Sequence, residues 1–446
     1  MAIRRHATFA GGIDLPDEKQ ATLARQIEPW PGGTPLRVPL AWGELGAATA
    51  IVEPGQSVVQ GQIIAEAVGA HSLDIFSPAA GRVGEPVSVQ VAAGDRLRSC
   101  PALLIHTDDA AILPPKSDEC FDWRAAGASS IRQRLVNGGL PTYERRVRPL
   151  ARWLSAAGER KCDTLIANCM ENQPYIACEH RMLVELSRQV VSGLEVIAKA
   201  LGVAKVMLAV DQRRTSAYQG IVEPANSYGI TSVSLHDKYP VGADPILVKL
   251  ITGREMPPGR SVLDVGVAVT NAATCVAVHD WVACEIPPVG RIVTLAGDKT
   301  IQPGNYWVPY GVACCDMSAQ GGDGTIHGGA MLGMRCTEDT VVTPATDAVL
   351  TIQADVPQSP SPCIRCSWCT DHCPARLNVA ELNDAFELPD LALARRLTAQ
   401  ACVECGLCTY VCPARLPLSQ RVRQLKRVLT GLDQNMPLFS GTPETP

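Results

Sequence analysis

Along the chain, the spacing of apolar positions changes character between segments. Between residues 37 and 107, apolar and polar residues alternate in short runs punctuated by glycine and proline. Val52-Glu-Pro-Gly-Gln-Ser-Val-Val-Gln-Gly-Gln-Ile-Ile-Ala-Glu66 is the clearest such run, followed by Phe76-Ser-Pro-Ala-Ala-Gly-Arg-Val83. A period of two with turn residues predicts short β-strands. Between 110 and 285 strand-like and helix-like stretches alternate, as an α/β layer requires. Asp163–Asn168, Lys205–Val210 and Asp264–Asn271 read as buried strands, and Arg181–Leu201 carries apolar residues at helical spacing. Polar residues just past such strand ends are where open α/β sheets bind ligands. From 288 to 345 strands return, with Arg291–Gly297 and Asn305–Pro309 separated by the turn signal Gln302-Pro-Gly304. The glycine-rich stretches Gly321–Gly324 and Gly328–Gly333 read as tight turns, since they lack the strand–loop–helix order and lysine of a P-loop. A proline-rich linker, Val356–Pro362, opens the helical segment at 355–432. Its helices are expected at Val379–Gln400 and Leu418–Leu429, the latter with a basic, solvated face of Arg421, Arg423, Lys426 and Arg427. Residues 1–36 form an N-terminal segment and 433–446 a disordered tail.

Two cysteine runs carry the most specific chemistry. Cys363-x-x-Cys366-x-x-Cys369-x-x-x-Cys373-Pro374 recurs 39 positions later as Cys402-x-x-Cys405-x-x-Cys408-x-x-x-Cys412-Pro413. This is the bacterial spacing for two [4Fe–4S] clusters, in which the fourth cysteine of each run ligates the other cluster. One cluster is thus expected on Cys363, Cys366, Cys369 and Cys412, and the second on Cys402, Cys405, Cys408 and Cys373. The shared Cys-Pro-Ala-Arg-Leu extension marks an internal duplication. A disulfide framework would need an oxidising compartment, and zinc sites use a different spacing. The other ten cysteines show no ligand spacing and read as small buried apolar residues.

Composition narrows the partners. With 446 residues the chain has room for roughly three or four domains. A net charge of −5 gives no reason to expect nucleic acid. No apolar run is long enough to span a bilayer, and the opening residues lack the apolar core of a signal peptide. The expected location is the cytoplasm, where the cysteine runs meet a reducing interior; docking on the cytoplasmic side of a membrane complex would need no span of its own.

The order of modules resembles the RnfC family of the Rnf (Rsx) ion-translocating electron-transport complex. The resemblance runs through Phe9-Ala-Gly-Gly-Ile-Asp-Leu-Pro16, the β-module at 37–107, Lys238-Tyr-Pro-Val-Gly242, Leu250-Ile-Thr-Gly-Arg-Glu255, Gly297-Asp298 with Pro303-Gly-Asn305, and the double cysteine motif. Asp14 and Leu15 depart from the family's opening glycine motif. The β-module resembles the barrel-sandwich hybrid of lipoyl and biotinyl domains. No lysine lies between Lys19 and Lys116, so it cannot carry a lysine-linked cofactor and reads as structural or docking. The implied fold is multidomain α+β: this hybrid, an α/β flavin-type domain at 110–285, an SLBB-like β-grasp domain at 288–345 and a ferredoxin-like helical domain at 355–432.

The middle portions also resemble the flavoprotein component of respiratory complex I, which implies an FMN site fed by NADH. On that resemblance Asn168, Glu171, Tyr175, Lys238, Asn271, Thr274 and Gly139 would contact the cofactor. Gln173 stands where the family has a second glutamate. In the family's glycine-rich loop, Gly139, Pro141 and Thr142 are retained, but Arg134, Val136 and Asn137 replace glycines. Glycine permits close backbone approach and φ > 0, so crowding at 136 and 137 is expected to weaken NADH binding more than flavin binding. No catalytic residue is assigned. The implied function is electron transfer between a soluble donor or acceptor, two clusters, FMN and other subunits of a membrane complex. Two alternatives are a cobalamin-reductase-like protein of bacterial microcompartments and a non-catalytic electron wire whose flavin site is lost.

Overall fold

The computed structural model describes residues 8–31, 35–107, 112–318, 324–353 and 359–431, together with the backbone of Arg4–Arg5. The expected tail at 433–446, Gly321–Asp323 and Val356–Gln358 lie outside the described residues.

The β-module folds as two antiparallel sheets. One pairs Leu36–Pro39, Arg96–His106, Gly81–Ala93 and Ser57–Val58; the other pairs Thr49–Ala50, Ile63–Glu66 and Ile75–Phe76. Leu36, Val38, Ile64 and Ile105 are fully buried between them. Gly81–Ala93 and Arg96–His106 form a long hairpin that turns through Gly94, at φ +68°, and Asp95.

The α/β portion is built on a five-stranded parallel sheet in the order Arg4–Arg5, Thr231–Leu235, Lys205–Asp211, Thr164–Cys169, Val267–Thr270. The central strands, Thr164–Cys169 and Lys205–Asp211, are apolar and buried over their middle residues, as a parallel sheet covered on both faces requires. Ser187–Leu201 packs on Ala272–Cys284 through Val190, Leu194, Val278 and Val282. Their approach requires Gly193, where a Cβ would sit 1.8 Å from the Cys275 carbonyl oxygen. Gly202, left-handed at φ +73°, ends the first of these helices.

A six-stranded mixed sheet follows. Gly290–Ala296 and Gly304–Pro309 form its antiparallel centre, and Ala348–Thr351 runs parallel to the former. This strand lies beyond the sequence-expected limit at 345. The 1–36 segment is not separate either: Ile27–Pro29 edges this sheet, and Arg4–Arg5 edges the parallel one.

The C-terminal part is helical. The expected helix Val379–Gln400 is broken into Val379–Glu387 and Leu391–Arg396. Pro389 disfavours helix at the residue before it, and Asp390 restarts the helix by accepting the Leu393 N–H at 2.8 Å. The last helix, Leu418–Leu429, does not present a free basic face. Arg423 and Arg427 both bind Asp95 at the hairpin tip of the β-module, Arg423 at 2.7 Å, and Arg421 binds Glu387 at 2.5 Å. The cations that read as solvated in one dimension tie two distant modules together.

Burial pushes the Asp95 carboxyl up, but Arg423 and Arg427 pull it down to about 2, from an ordinary value of 3.8. A depressed carboxylate stabilises the fold above its unfolded pKa and loses that contribution as pH falls through its folded pKa. Asp95→Asn should therefore destabilise the chain by about 1–3 kcal/mol at neutral pH. The difference from the natural chain should shrink between pH 4 and pH 2. Chemical denaturation across that window checks this; an equal deficit at both ends would refute it.

Candidate functional site

The duplicated cysteine loops share one backbone path. Residues two beyond the first cysteine, Arg365 and Glu404, both have φ +57°; Ser367 and Gly406 follow at +65° and +82°, and Arg376 and Arg415 at +53° and +56°. Each path surrounds a small, mostly apolar cavity. Cys363, Cys366, Cys369 and Cys412 line one, and Cys373, Cys402, Cys405 and Cys408 line the other. The fourth cysteine of each run thus crosses to the opposite cavity. Burial lifts the Cys402 thiol to about 11 and Cys405 to about 12, so ionised sulfur at either position requires a bound cation. Among the described residues no three His, Cys, Asp or Glu side chains are spaced for a single metal ion. Thiolates on a cubane stand farther apart, because each binds a different iron.

Two junctions fix these loops to the α/β portion. The Gly12 N–H donates to the His372 carbonyl at 2.9 Å, and a Cβ on Gly11, at φ +69°, would lie 2.5 Å from the Cys373 carbonyl oxygen. The Tyr239 hydroxyl donates to the Cys405 carbonyl at 2.5 Å, while Ile13 and Tyr239 exchange backbone hydrogen bonds.

A cleft of about 1570 Å³ opens beyond the C-terminal ends of Thr164–Cys169 and Val267–Thr270. Its floor includes Asn168, Glu171, Gln173 and Asn271; its far wall is Cys402, Val403, Glu404 and Lys426 of the second cysteine loop and last helix. Cleft and cysteine cavity therefore share a wall. Carboxyl groups crowd the floor. Burial, then neighbouring Glu171, lifts Glu179 to about 8, against the pull of Arg291. Burial, helped by Glu144, lifts Asp244 to about 6, although Asn168 donates to it at 3.2 Å. Cations stand at the other side: Arg145, Arg146 and Lys426. Burial pushes Glu404 up, but Lys426, Arg146 and Arg423 hold it below the usual carboxylate range.

Residues 7–110 match the family model of the RnfC barrel sandwich hybrid domain, 146–280 that of the Nuo51 FMN-binding domain, and 362–416 that of the 4Fe-4S dicluster domain. The RnfC-type component of the ion-translocating oxidoreductase complex of Rhodobacter capsulatus is 32% identical over 402 residues, covering 87% of this chain and 77% of the relative. The chain belongs to the RnfC family of ion-translocating oxidoreductase complexes. The corresponding component of the Na(+)-translocating ferredoxin:NAD(+) oxidoreductase complex of Acetobacterium woodii is 28% identical, covering 84% of this chain and 87% of the relative. Among solved structures, an NAD+-reducing [NiFe]-hydrogenase in the H2-reduced state aligns with a TM-score of 0.46 at 17% identity, over 72% of this chain and 65% of that one.

The structure divides the residues that the family resemblance marked for the cofactor. Asn168, Glu171 and Asn271 line the cleft; Gly139, Tyr175, Lys238 and Thr274 do not. Glu171 accepts the Glu179 N–H at 2.8 Å and so caps the helix Cys178–Glu185. Asn271 donates to the Tyr143 carbonyl at 2.6 Å, and Thr274 accepts the Tyr143 N–H at 3.0 Å. The pair clamps the loop that enters the cleft. Tyr175, at φ +71°, binds the backbone of Asp17. Lys238 donates to the Phe9 carbonyl at 3.1 Å, in the glycine-motif junction and away from the cleft. Gly139, at φ +56°, faces Asp74 and Phe76 of the β-module. Val136 and Asn137 do not crowd the cleft: they are exposed on the helix Ala128–Asn137. The helix continues to Asn137 because the replaced glycines no longer break it.

Residues present in the cleft fit a flavin mononucleotide. The Gln173 side-chain oxygen is buried without a hydrogen-bond partner, an acceptor left unused beside the cleft floor. Gly329 leaves the room for it, since a Cβ there would lie 2.1 Å away. Arg145 and Arg146 suit a phosphate. Sequence reasoning missed Arg145, Arg146, Asp244 and Lys426. The adjacent arginines after Tyr143 were the available signal for two of them.

Two outcomes follow from this geometry. Glu179 has its pKa raised above the unfolded 4.5, so its neutral form stabilises the fold at low pH, and that contribution is lost as pH rises toward 8. Glu179→Gln should flatten the decline in denaturation midpoint between pH 5 and pH 8; an unchanged slope would refute a protonated Glu179. Gly11→Ala should push the cysteine loop off its junction and lower the iron content of purified protein, while secondary structure by circular dichroism stays unchanged.

Proposed function

We infer that this chain is the electron-transfer subunit that docks peripherally on a membrane-bound ion-translocating oxidoreductase complex. Among the described residues no helix is long and apolar enough to cross a membrane, so attachment would come through the complex's other subunits. The observation that carries the reading is the shared wall: Cys402, Val403 and Glu404 belong both to the strand-end cleft and to a cavity with four cysteines. RnfC-type relatives matching over most of the chain favour this reading over a microcompartment cobalamin reductase. We read the mixed sheet as an SLBB-like β-grasp unit that closes the cleft from above, with Leu332 and Asp347 facing into it.

The residues divide the work. Cys363, Cys366, Cys369 and Cys412 hold one [4Fe–4S] cluster, and Cys373, Cys402, Cys405 and Cys408 hold the second. Bound clusters exchange single electrons at low potential, and a bound flavin converts between one- and two-electron steps. Gln173 accepts a hydrogen bond from the flavin, and Asn168 and Asn271 hold the cleft floor in shape. Arg145 and Arg146 receive its phosphate. The Gly11–Gly12 junction holds the end of the first cysteine loop at Cys373 and Tyr239 holds the second at Cys405, so the cavity these cysteines share stays against the cleft and the electron path is short. Gln173 lacks the negative charge of the family's glutamate, which favours weak oxidation of NADH by this chain. Electrons would then be exchanged with a soluble carrier or a neighbouring subunit.

Anaerobically purified protein should hold about eight irons per chain by the spacing rule, together with FMN. Cys412→Ala should damage the cluster of Cys363, Cys366 and Cys369 and leave that of its own run. Loss confined to the Cys402 group would overturn the crossed assignment. Val136→Gly with Asn137→Gly should leave flavin content unchanged, whereas Gln173→Ala should lower it several-fold. Flavin fluorescence after denaturation reads both. A gain of flavin in the glycine variant would restore the crowding argument.

A further inference from the structure

Duplication gave the two cysteine loops one backbone and opposite charges. At the same left-handed position, φ +57°, one loop carries Arg365 and the other Glu404. Their surroundings differ as much. Arg365 is 62% exposed and pairs only with Asp384, at 2.8 Å, where water screens both charges. Glu404 is 17% exposed and gathers cations from two modules: Lys426 at 2.8 Å and Arg423 at 3.6 Å from the last helix, and Arg146 at 3.3 Å from the α/β portion. Asp95 from the β-module holds Arg423 and Arg427 in the same wall. Four cations thus face two carboxylates beside the Cys402 loop. Lys426 is the cation joined to the loop itself, donating to the Cys402 carbonyl at 2.7 Å. The cysteines of this cavity also receive backbone donors: Glu404 N–H to Cys402 Sγ and Leu377 N–H to Cys373 Sγ, both at 3.4 Å.

We propose that Lys426, positioned by Glu404, raises the reduction potential of the Cys373–Cys402–Cys405–Cys408 cluster above that of its twin. The proposal rests on the cluster assignment given above. Reduction adds one negative charge to a cluster, which cations and N–H···S bonds stabilise. Exposure of Cys366 gives the twin some help from water, which acts the same way. Excess positive charge in a half-buried wall acts through a lower effective dielectric than charge in water, so the Lys426 side prevails. An electron entering at the exposed loop would come to rest beside the cleft, where the flavin takes or supplies it. Lys426 is a positioning residue, since it acts through the cluster and not on a substrate.

The test is a redox titration of the full-length chain followed by electron paramagnetic resonance, with Cys366→Ala marking the signal of the exposed cluster. Lys426→Gln should shift the electron partition between the clusters about tenfold toward the exposed one, 59 mV for one electron. Glu404→Gln should shift the same cluster upward, and Lys426→Arg should restore the natural value. Opposite shifts from the two neutral variants separate electrostatics from loosened packing, which would move both the same way. The proposal is overturned if both variants shift alike, if neither moves the cleft-side cluster, or if the natural chain has the exposed cluster higher. If Lys426→Gln loses its iron, the sign of the Glu404→Gln shift decides. Iron and sulfide near eight per chain with no shift defeats the proposal alone; iron near four defeats the cluster assignment beneath it.

Discussion

The backbone contact of Gly11 and Gly12 with His372 and Cys373 is the constraint on which the arrangement depends. Neither position tolerates a side chain: a Cβ on Gly11 would strike the Cys373 carbonyl at 2.5 Å, and one on Gly12 would meet the Tyr239 carbonyl at 2.6 Å. Because the approach is backbone to backbone, no side-chain rotamer can absorb a shift of the cysteine loops. Tyr239 then reaches Cys405 from the other side. An N-terminal motif, a loop after the Thr231–Leu235 strand of the parallel sheet and both cysteine loops therefore meet at one point. Electron transfer falls steeply with distance, so a junction of this stiffness is worth its conformational cost.

A second set of contacts works through charge. Asp95 at the hairpin tip and Glu404 in the cysteine loop divide four cations between them. These are not exposed surface pairs: Asp95 and Glu404 are 14% and 17% exposed. Partial burial makes the pairs stronger and makes each one's loss costly, since the remaining charge is left in a poor solvent. The β-module, with no lysine to modify, thus has a mechanical task. It holds the basic helix, and that helix forms the wall between cleft and cysteines.

The cleft itself combines an acidic floor with a basic wall. Glu179 and Asp244 are lifted into the neutral range by burial and by other carboxyls nearby. Such groups can take up a proton when negative charge arrives in the cleft. The basic side faces the cysteine loop, where an arriving electron needs compensation. The acidic half is therefore suited to exchange protons with a bound flavin, and the basic half to offset the negative charge the flavin would gain on reduction.

Much of this was legible in one dimension. The cysteine spacing determined which thiols share a cavity, because three ligands on one tight turn leave the fourth to cross. Alternation and apolar runs determined the β-module and the parallel strands, because side-chain period reports how many faces of a strand are buried. The break at Pro389 and the exposed helix at Val136 show where local reading failed: a motif resemblance carries positions but not path. Lys238, Thr274 and Tyr175 lie in the expected order yet point into junctions, and the basic face of Leu418–Leu429 is covered. Those placements depend on contacts between residues hundreds of positions apart, such as Asp95 with Arg423 or Lys19 with Glu171. Sequence alone determined the cofactor chemistry, since ligand type and spacing are local. Only the tertiary structure decided which charges surround each cluster, because electrostatic neighbours are set by packing and not by order along the chain.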